Sequence, residues 1–265
     1  MVPGSSRCIL LGVLAILLCT VACSTRGADK RDGGSPASSA AASAAASTAP
    51  STASSTVTGP ECGVPIAGRH RYLPISASRQ TNVLLLGSGP RGVVVGAQAN
   101  GGICQTLDYA QTLTARGYHV AVFDWIADYA GEMTTAVRVL LTNGAREVVV
   151  GGFSRGALVG LGIAPSLGRR VVGVFSVSGG PSAIEGFPTI ASLARFAGPI
   201  LLVCSADDSV FPQGTSARIA RAHTAGPSSL LVVPGSEHAL ALLDGSQGPR
   251  IKSAIDTFLR HVLGG

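Results

Sequence analysis

The chain predicts an α/β fold: a doubly wound, mostly parallel sheet with helices on both faces. Three observations carry this. Short apolar runs rich in Val, Ile and Leu recur between residues 72 and 233. Most do not alternate with polar residues, the pattern of strands buried on both faces. From residue 98 onward, stretches of helical character separate them, the order expected of strand–helix–strand crossovers.

Strands are expected at Tyr72–Ile75, Asn82–Leu86, Gly92–Ala97, His119–Phe123, Glu147–Gly151, Val171–Val177, Pro199–Cys204 and Ser229–Val233. Helices are expected at Gln105–Arg116, Met133–Thr142, Arg155–Ser166, Gln213–Ala222 and Gly248–Leu263. The first two strands follow one another without a helix, so an antiparallel edge is expected there. The later strands should run parallel, with any site at their carboxyl ends.

The first sixty residues are unlike the rest. Arg7 precedes the apolar stretch Cys8–Leu18, a charged n-region and an h-region too short to span a bilayer comfortably. Thr20-Val21-Ala22-Cys23 follows. A small residue before Cys at the end of an h-region resembles the lipobox of bacterial lipoproteins. That resemblance implies a diacylated Cys23 as the mature N-terminus; a plain secretory signal cut near Ala22 is the alternative. Residues 24–60 form an Ala/Ser/Thr/Pro tract with almost no large apolar residue. Such a tract cannot bury a core and is expected to act as a disordered tether. The organisation expected is therefore a signal peptide over 1–22, a tether over 23–60 and one α/β domain over 61–265.

Charge excludes one class of partner. The chain has 20 basic and 14 acidic residues, spread along its length, which is no nucleic-acid footprint. Of the six cysteines, Cys62, Cys104 and Cys204 lie outside the export segment. Outside the cytoplasm Cys62 and Cys104 are the better candidates for a disulfide, since Cys204 sits within an apolar strand. No Cys/His cluster has metal-ligand spacing, so no metal and no cofactor are expected. Oligomeric state is not legible.

The run Val148-Val149-Val150-Gly151-Gly152-Phe153-Ser154-Arg155-Gly156 carries the chemistry. A β-branched strand enters Gly-x-Ser-x-Gly and a helical stretch leaves it, the context of a nucleophile elbow. With 35 glycines the pattern alone arises by chance in about one such chain in two, so the context has to decide. A serine nucleophile needs a base and a group to orient the base. After the strand ending at Cys204 comes Ser205-Ala206-Asp207-Asp208-Ser209-Val210-Phe211-Pro212, and after the strand ending at Val233 comes Pro234-Gly235-Ser236-Glu237-His238. The order Ser154, Asp207 or Asp208, His238 puts all three at strand ends.

On these residues the chain resembles the α/β-hydrolases, in particular the compact bacterial kind that includes dienelactone hydrolases and small esterases, over roughly residues 80–263. The resemblance implies an α/β-hydrolase fold without a large lid and a serine hydrolase of ester-like bonds. It favours Asp208 as the acid, with Asp207 as alternative, because Ser205 and Pro212 then take the places of the family's Gly and Pro. Gly235-Ser236-Glu237-His238 matches the family's Gly-x-x-His turn. The oxyanion donors implied are the backbone N–H groups of Arg155 and of Ala99 or Gln98. Here the chain departs from the family's common His-Gly, reading Ala97-Gln98 instead. The short segment Gly179–Pro188 suggests an open site, suited to a small soluble ester. Trp125, Tyr129, Phe153, Phe187 and Phe211 are candidates to line it. The rival readings are an acyltransferase or other chemistry with the same triad, and a non-catalytic envelope lipoprotein.

Overall fold

A computed structural model describes residues 59–180 and 192–264. The expected signal peptide, nearly all of the tether, and most of the Gly179–Pro188 segment with Phe187 lie outside these. The described residues hold eight strands: β1 His70–Leu73, β2 Val83–Leu86, β3 Arg91–Gly96, β4 His119–Phe123, β5 Glu147–Phe153, β6 Val171–Val177, β7 Ile200–Ser205 and β8 Ser228–Val233. Their helices are α1 Ile103–Ala115, α2 Tyr129–Thr142, α3 Arg155–Ile163, α4 Gln213–Ala222, α5 Ala241–Asp244 and α6 Gly248–Leu263.

The strands form one sheet in the order β1-β2-β4-β3-β5-β6-β7-β8. β2 pairs antiparallel with both β1 and β4, and every other pairing is parallel. The valine runs sit at the centre: Val93–Val95 and Val148–Val150 are fully buried. α2, α3 and α4 pack one apolar layer against the sheet, and α1, α5 and α6 pack the other. α3 lies with nearly every side chain buried, as befits a helix that is apolar all round.

Differences from the expected boundaries have local causes. β1 ends at Leu73, two residues before the expected Ile75, because Pro74 has no N–H to give and the Ile75 N–H donates to Asn82 Oδ1 at 2.9 Å. α1 starts two residues early because Asp124 Oδ1 accepts the Ile103 N–H at 3.0 Å. α2 starts four residues early because Asp128 caps it, accepting from Gly131 N–H at 3.0 Å. β5 runs two residues further, since Gly152 and Phe153 pair with Ser176 and Val177 of β6. Cys62 and Cys104 form a disulfide, with their Cα atoms 5.0 Å apart, and tie the start of the domain to the first turn of α1. Cys204 is a buried free thiol. Among the described residues, no helix is long and apolar enough to cross a membrane.

Candidate active site

β5 ends at Phe153 and α3 begins at Arg155, so Ser154 alone turns the chain from strand to helix. It does so at φ 48° and ψ −104°, a region that residues with a side chain avoid. The flanking glycines are there because space is absent. A Cβ on Gly152 would lie 2.2 Å from the Gly96 carbonyl oxygen, and one on Gly156 would lie 2.1 Å from it. β3, β5 and α3 thus meet in backbone contact directly under Ser154.

β7 carries the acid to the same edge. Asp208 is 2% exposed. Its Oδ1 accepts the N–H groups of Val210 (2.8 Å) and Phe211 (2.9 Å), and its Oδ2 lies 2.8 Å from His238 Nδ1. Burial alone would push this carboxyl up, but the Phe211 N–H, the His238 ring and the Val210 N–H together hold it below its ordinary value. Asp207 is exposed, and its backbone N–H donates to Gly235 O at 3.0 Å. Of the two candidates, Asp208 is therefore the one paired with the histidine.

Backbone and side-chain bonds stitch the strand ends together. Ser154 N–H donates to Val177 O at 2.9 Å. The next residue of that loop, Ser178, accepts the Ala239 N–H on its Oγ at 3.0 Å. Ser205 Oγ donates to Glu237 O at 2.6 Å. Ser154 and His238 are thereby linked through the end of β6. Among the described residues no hydrogen bond joins Ser154 Oγ to the imidazole, a looseness common in sites without substrate.

The loop after β3 supplies the other wall. The Gln98 N–H donates to Gln105 Oε1 at 3.0 Å, so it is engaged within the loop. That leaves Ala99, at φ 44°, and Arg155 as backbone donors with no recorded acceptor among the described residues. Gln98 instead acts through its side chain, its Oε1 accepting the Leu240 N–H at 3.1 Å and tying this loop to the histidine turn. The Arg155 guanidinium donates to Ala99 O and Asn100 Oδ1 and stacks over the Tyr129 ring at 4.5 Å.

The sequence reading missed Ser178, the Gln98 side chain and Glu132. Glu132 is buried, and its Oε1 accepts three consecutive N–H groups, those of Ile126, Ala127 and Asp128, at 2.9, 2.7 and 3.1 Å. It shapes the loop that carries Trp125, whose Nε1 donates to Ala97 O at 3.0 Å. The strain pattern points to the same place. Among the described residues the non-glycine positions with positive φ are Ala99, Ser154, Ser178 and Ala239, all at this edge. Of the aromatic candidates, Phe211 lies 5.9 Å from the His238 ring, centroid to centroid, whereas Phe153 is fully buried against Tyr109. No group of three or more metal-ligating side chains occurs among the described residues.

A family profile described as phospholipase/carboxylesterase matches residues 124–241, from the end of β4 to the turn past His238. Solved structures share the fold. An esterase from Pyrococcus furiosus superposes with TM-score 0.64 at 12% identity, over 75% of this chain and 92% of its own. A monoacylglycerol lipase from Paleococcus ferrophilus gives TM-score 0.59 at 14% identity, over 68% and 98%. The esterase Est1E from Butyrivibrio proteoclasticus gives 0.59 at 12%, over 74% and 99%. At these identities the likeness is one of fold. A search of curated protein sequences returns no match. The chain has the α/β-hydrolase fold. The phospholipase/carboxylesterase match, over less than half of the chain, supports a hydrolase of ester bonds.

Proposed function

We propose that the chain is a serine esterase that works through an acyl-enzyme. In this reading His238 takes the proton from Ser154 Oγ as that oxygen attacks the ester carbonyl. Asp208 holds the imidazole in the tautomer with its proton on Nδ1 and stabilises the imidazolium that forms. The N–H groups of Arg155 and Ala99 receive the developing oxyanion. The alcohol departs with the proton from His238, and water activated by the same ring attacks the acyl-enzyme, returning Ser154 and releasing the acid.

The observation that carries this reading is the Asp208–His238 pair at 2.8 Å on the same sheet edge as a serine held at φ 48°. A serine held in strained backbone at the same edge as a carboxylate-paired imidazole is costly for stability and useful for acyl transfer. The substrate class is a small-molecule ester. The reading also includes export, with lipid anchoring at Cys23, supported by the charged n-region, the h-region and Ala22-Cys23.

A fluorophosphonate probe tests the chemistry. Labelling of the parent that disappears in Ser154→Ala is the expected result; a well-folded parent that takes no label overturns the reading. For the anchor, Cys23→Ala should release the protein from the membrane fraction, and retention of the variant would refute lipidation at that residue.

A further inference from the structure

The basic residues are scattered along the sequence but gathered in space. Arg69 and Arg71 stand at the start of β1, Arg91 opens β3, Arg146 precedes β5, and Arg169 and Arg170 precede β6. All lie at the end of the sheet opposite Ser154, Asp208 and His238. The strand order β1-β2-β4-β3-β5-β6 makes them one strip, about 24 Å long at ~4.8 Å per strand. Backbone bonds confirm the continuity. Gly87 N–H donates to Arg69 O, Arg146 N–H to Pro90 O, and Val148 N–H to Arg170 O, each at 2.8 Å.

The strip is strongly cationic, with six arginines that form no ion pair among the described residues. The recorded arginine ion pairs are Arg116–Asp256 and Arg260–Asp256. They leave these six arginines without a carboxylate partner among the described residues. Glu147 shares their edge, and Asp256, paired with Arg116 and Arg260, lies near Tyr118, the ring on which Arg91 stacks. The opposite end holds Asp124, Asp128, Asp207, Asp208 and Glu237, each beyond the carboxyl end of a strand. Two hollows open between the arginines. One of about 100 Å³ is lined by Arg69, Arg71 and His119, and one of about 580 Å³ by Arg91, Arg146, Arg169 and Arg170.

We propose that this arginine edge docks the domain on a bilayer bearing anionic phospholipid, with the catalytic end turned away from it. The charge fits. A row of planar guanidinium groups, with no lysine among them, suits phosphate oxygens, which each fork can take two at a time. The setting fits as well. An export segment that ends in a lipobox-like Cys23 brings the domain to a membrane and away from nucleic acid, the other extended polyanion. Residues 24–60, read as a tether, have an expected span of about 30–36 Å, enough for either end of the domain to reach the lipid surface. The arginine edge then selects which end does so, and leaves Ser154 facing soluble esters. The choice of a bilayer over other polyanions rests on the export reading proposed above; the inference is independent of the serine chemistry.

The test uses the full chain carrying Cys23→Ser, so that no acyl group contributes. Co-sedimentation with phosphatidylglycerol-containing vesicles is compared with pure phosphatidylcholine vesicles, at low and high salt. Stronger binding to the anionic vesicles, weakened by salt, is expected. The triple variant Arg146→Gln/Arg169→Gln/Arg170→Gln should lose about fivefold per charge in that preference. Arg250→Gln/Lys252→Gln, which removes positive charge at the catalytic end, should keep it. Arg146, Arg169, Arg170 and Arg250 are exposed and Lys252 is half-buried; unchanged Tm and fluorophosphonate labelling report that the fold and site are intact. Equal binding to both vesicles overturns the proposal, as does a preference the triple variant retains. Arginine-dependent binding to duplex DNA with none to anionic vesicles also overturns it, and assigns the edge to a polymer instead.

Discussion

Ser178 Oγ accepts the Ala239 N–H at 3.0 Å, and both residues hold positive φ, 52° and 54°. The loop after β6 and the turn after β8 are each bent into a sparsely populated conformation and latched to each other one residue from His238. Ser178 is fully buried, so Ser178→Ala leaves the Ala239 N–H without an acceptor, at a cost of about 1–3 kcal/mol. The latch is a positioning device. We expect Ser178→Ala to lower kcat about tenfold with KM nearly unchanged. Ser178→Gly should regain stability by relaxing the backbone without regaining kcat. Steady-state kinetics beside thermal melts separate the two effects, and a variant with parental kcat would reduce Ser178 to a packing role.

The two adjacent aspartates make a sharp comparison. Asp208→Asn keeps size and shape but presents an amide to His238 Nδ1, favouring the wrong tautomer. A loss of about 10³–10⁴ in kcat is expected. Asp207→Asn, at an exposed side chain, should stay within about twofold of the parent. A reversed order would move the acid role to Asp207.

Asp208 also predicts an acid dependence of stability. Its folded-state pKa lies below the ordinary 3.8, so the ionised form is the one the fold favours. That contribution is complete above the ordinary value and is lost as pH falls through the lowered one. Asp208→Asn cannot titrate. The Tm difference between parent and variant should therefore be flat above about pH 5 and narrow as pH falls below about 4. A difference that is constant with pH would mean the carboxylate is not stabilised by its partners.

Gly156 joins the motif to the fold. Its missing Cβ would sit 2.1 Å from Gly96 O, and backbone cannot yield as a flexible side chain can. Gly156→Ala should push α3 off β3, lower stability by about 1–3 kcal/mol, and impair labelling of Ser154, because the elbow and the loop after β3 rest on the same contact. A soluble variant with parental melting and labelling would refute the close approach.

These residues also mark how far the sequence could be read. The elbow was legible because Gly-x-Ser-x-Gly constrains backbone over five consecutive residues, and the strands because β-branched runs buried on both faces have little other use. Asp207 and Asp208 could be separated only by a resemblance, since adjacent carboxylates differ in direction, not in local pattern. Ser178 left no trace. A serine after a strand is common, and its partner lies 61 residues away. The arginine edge was illegible for the same reason: its members span residues 69–170, and only the strand order, which places β3 between β4 and β5, lays them side by side. Evenly spread charge in a sequence therefore says little about charge on a face.

The Cys62–Cys104 bridge closes a loop with a sequence separation of 42 that contains β1, β2 and β3. β1 is an edge strand of four residues, half exposed along its length, and it pairs with β2 alone. Little apolar burial holds it, so the restraint on its flanking chain matters more than it would for a central strand. Loop-closure entropy for a ring of this size is worth about 4 kcal/mol, of which natural bridges commonly realise about 2–4. Cys62→Ser/Cys104→Ser should lower stability by that amount. Hydrogen exchange should quicken first at His70–Leu73 and in the first turn of α1, with the β3–β5–β6 centre still protected. Reductant should reproduce the shift in the parent and leave the double variant unchanged. Uniform acceleration across the whole sheet would show that the bridge acts on global unfolding and not on this edge.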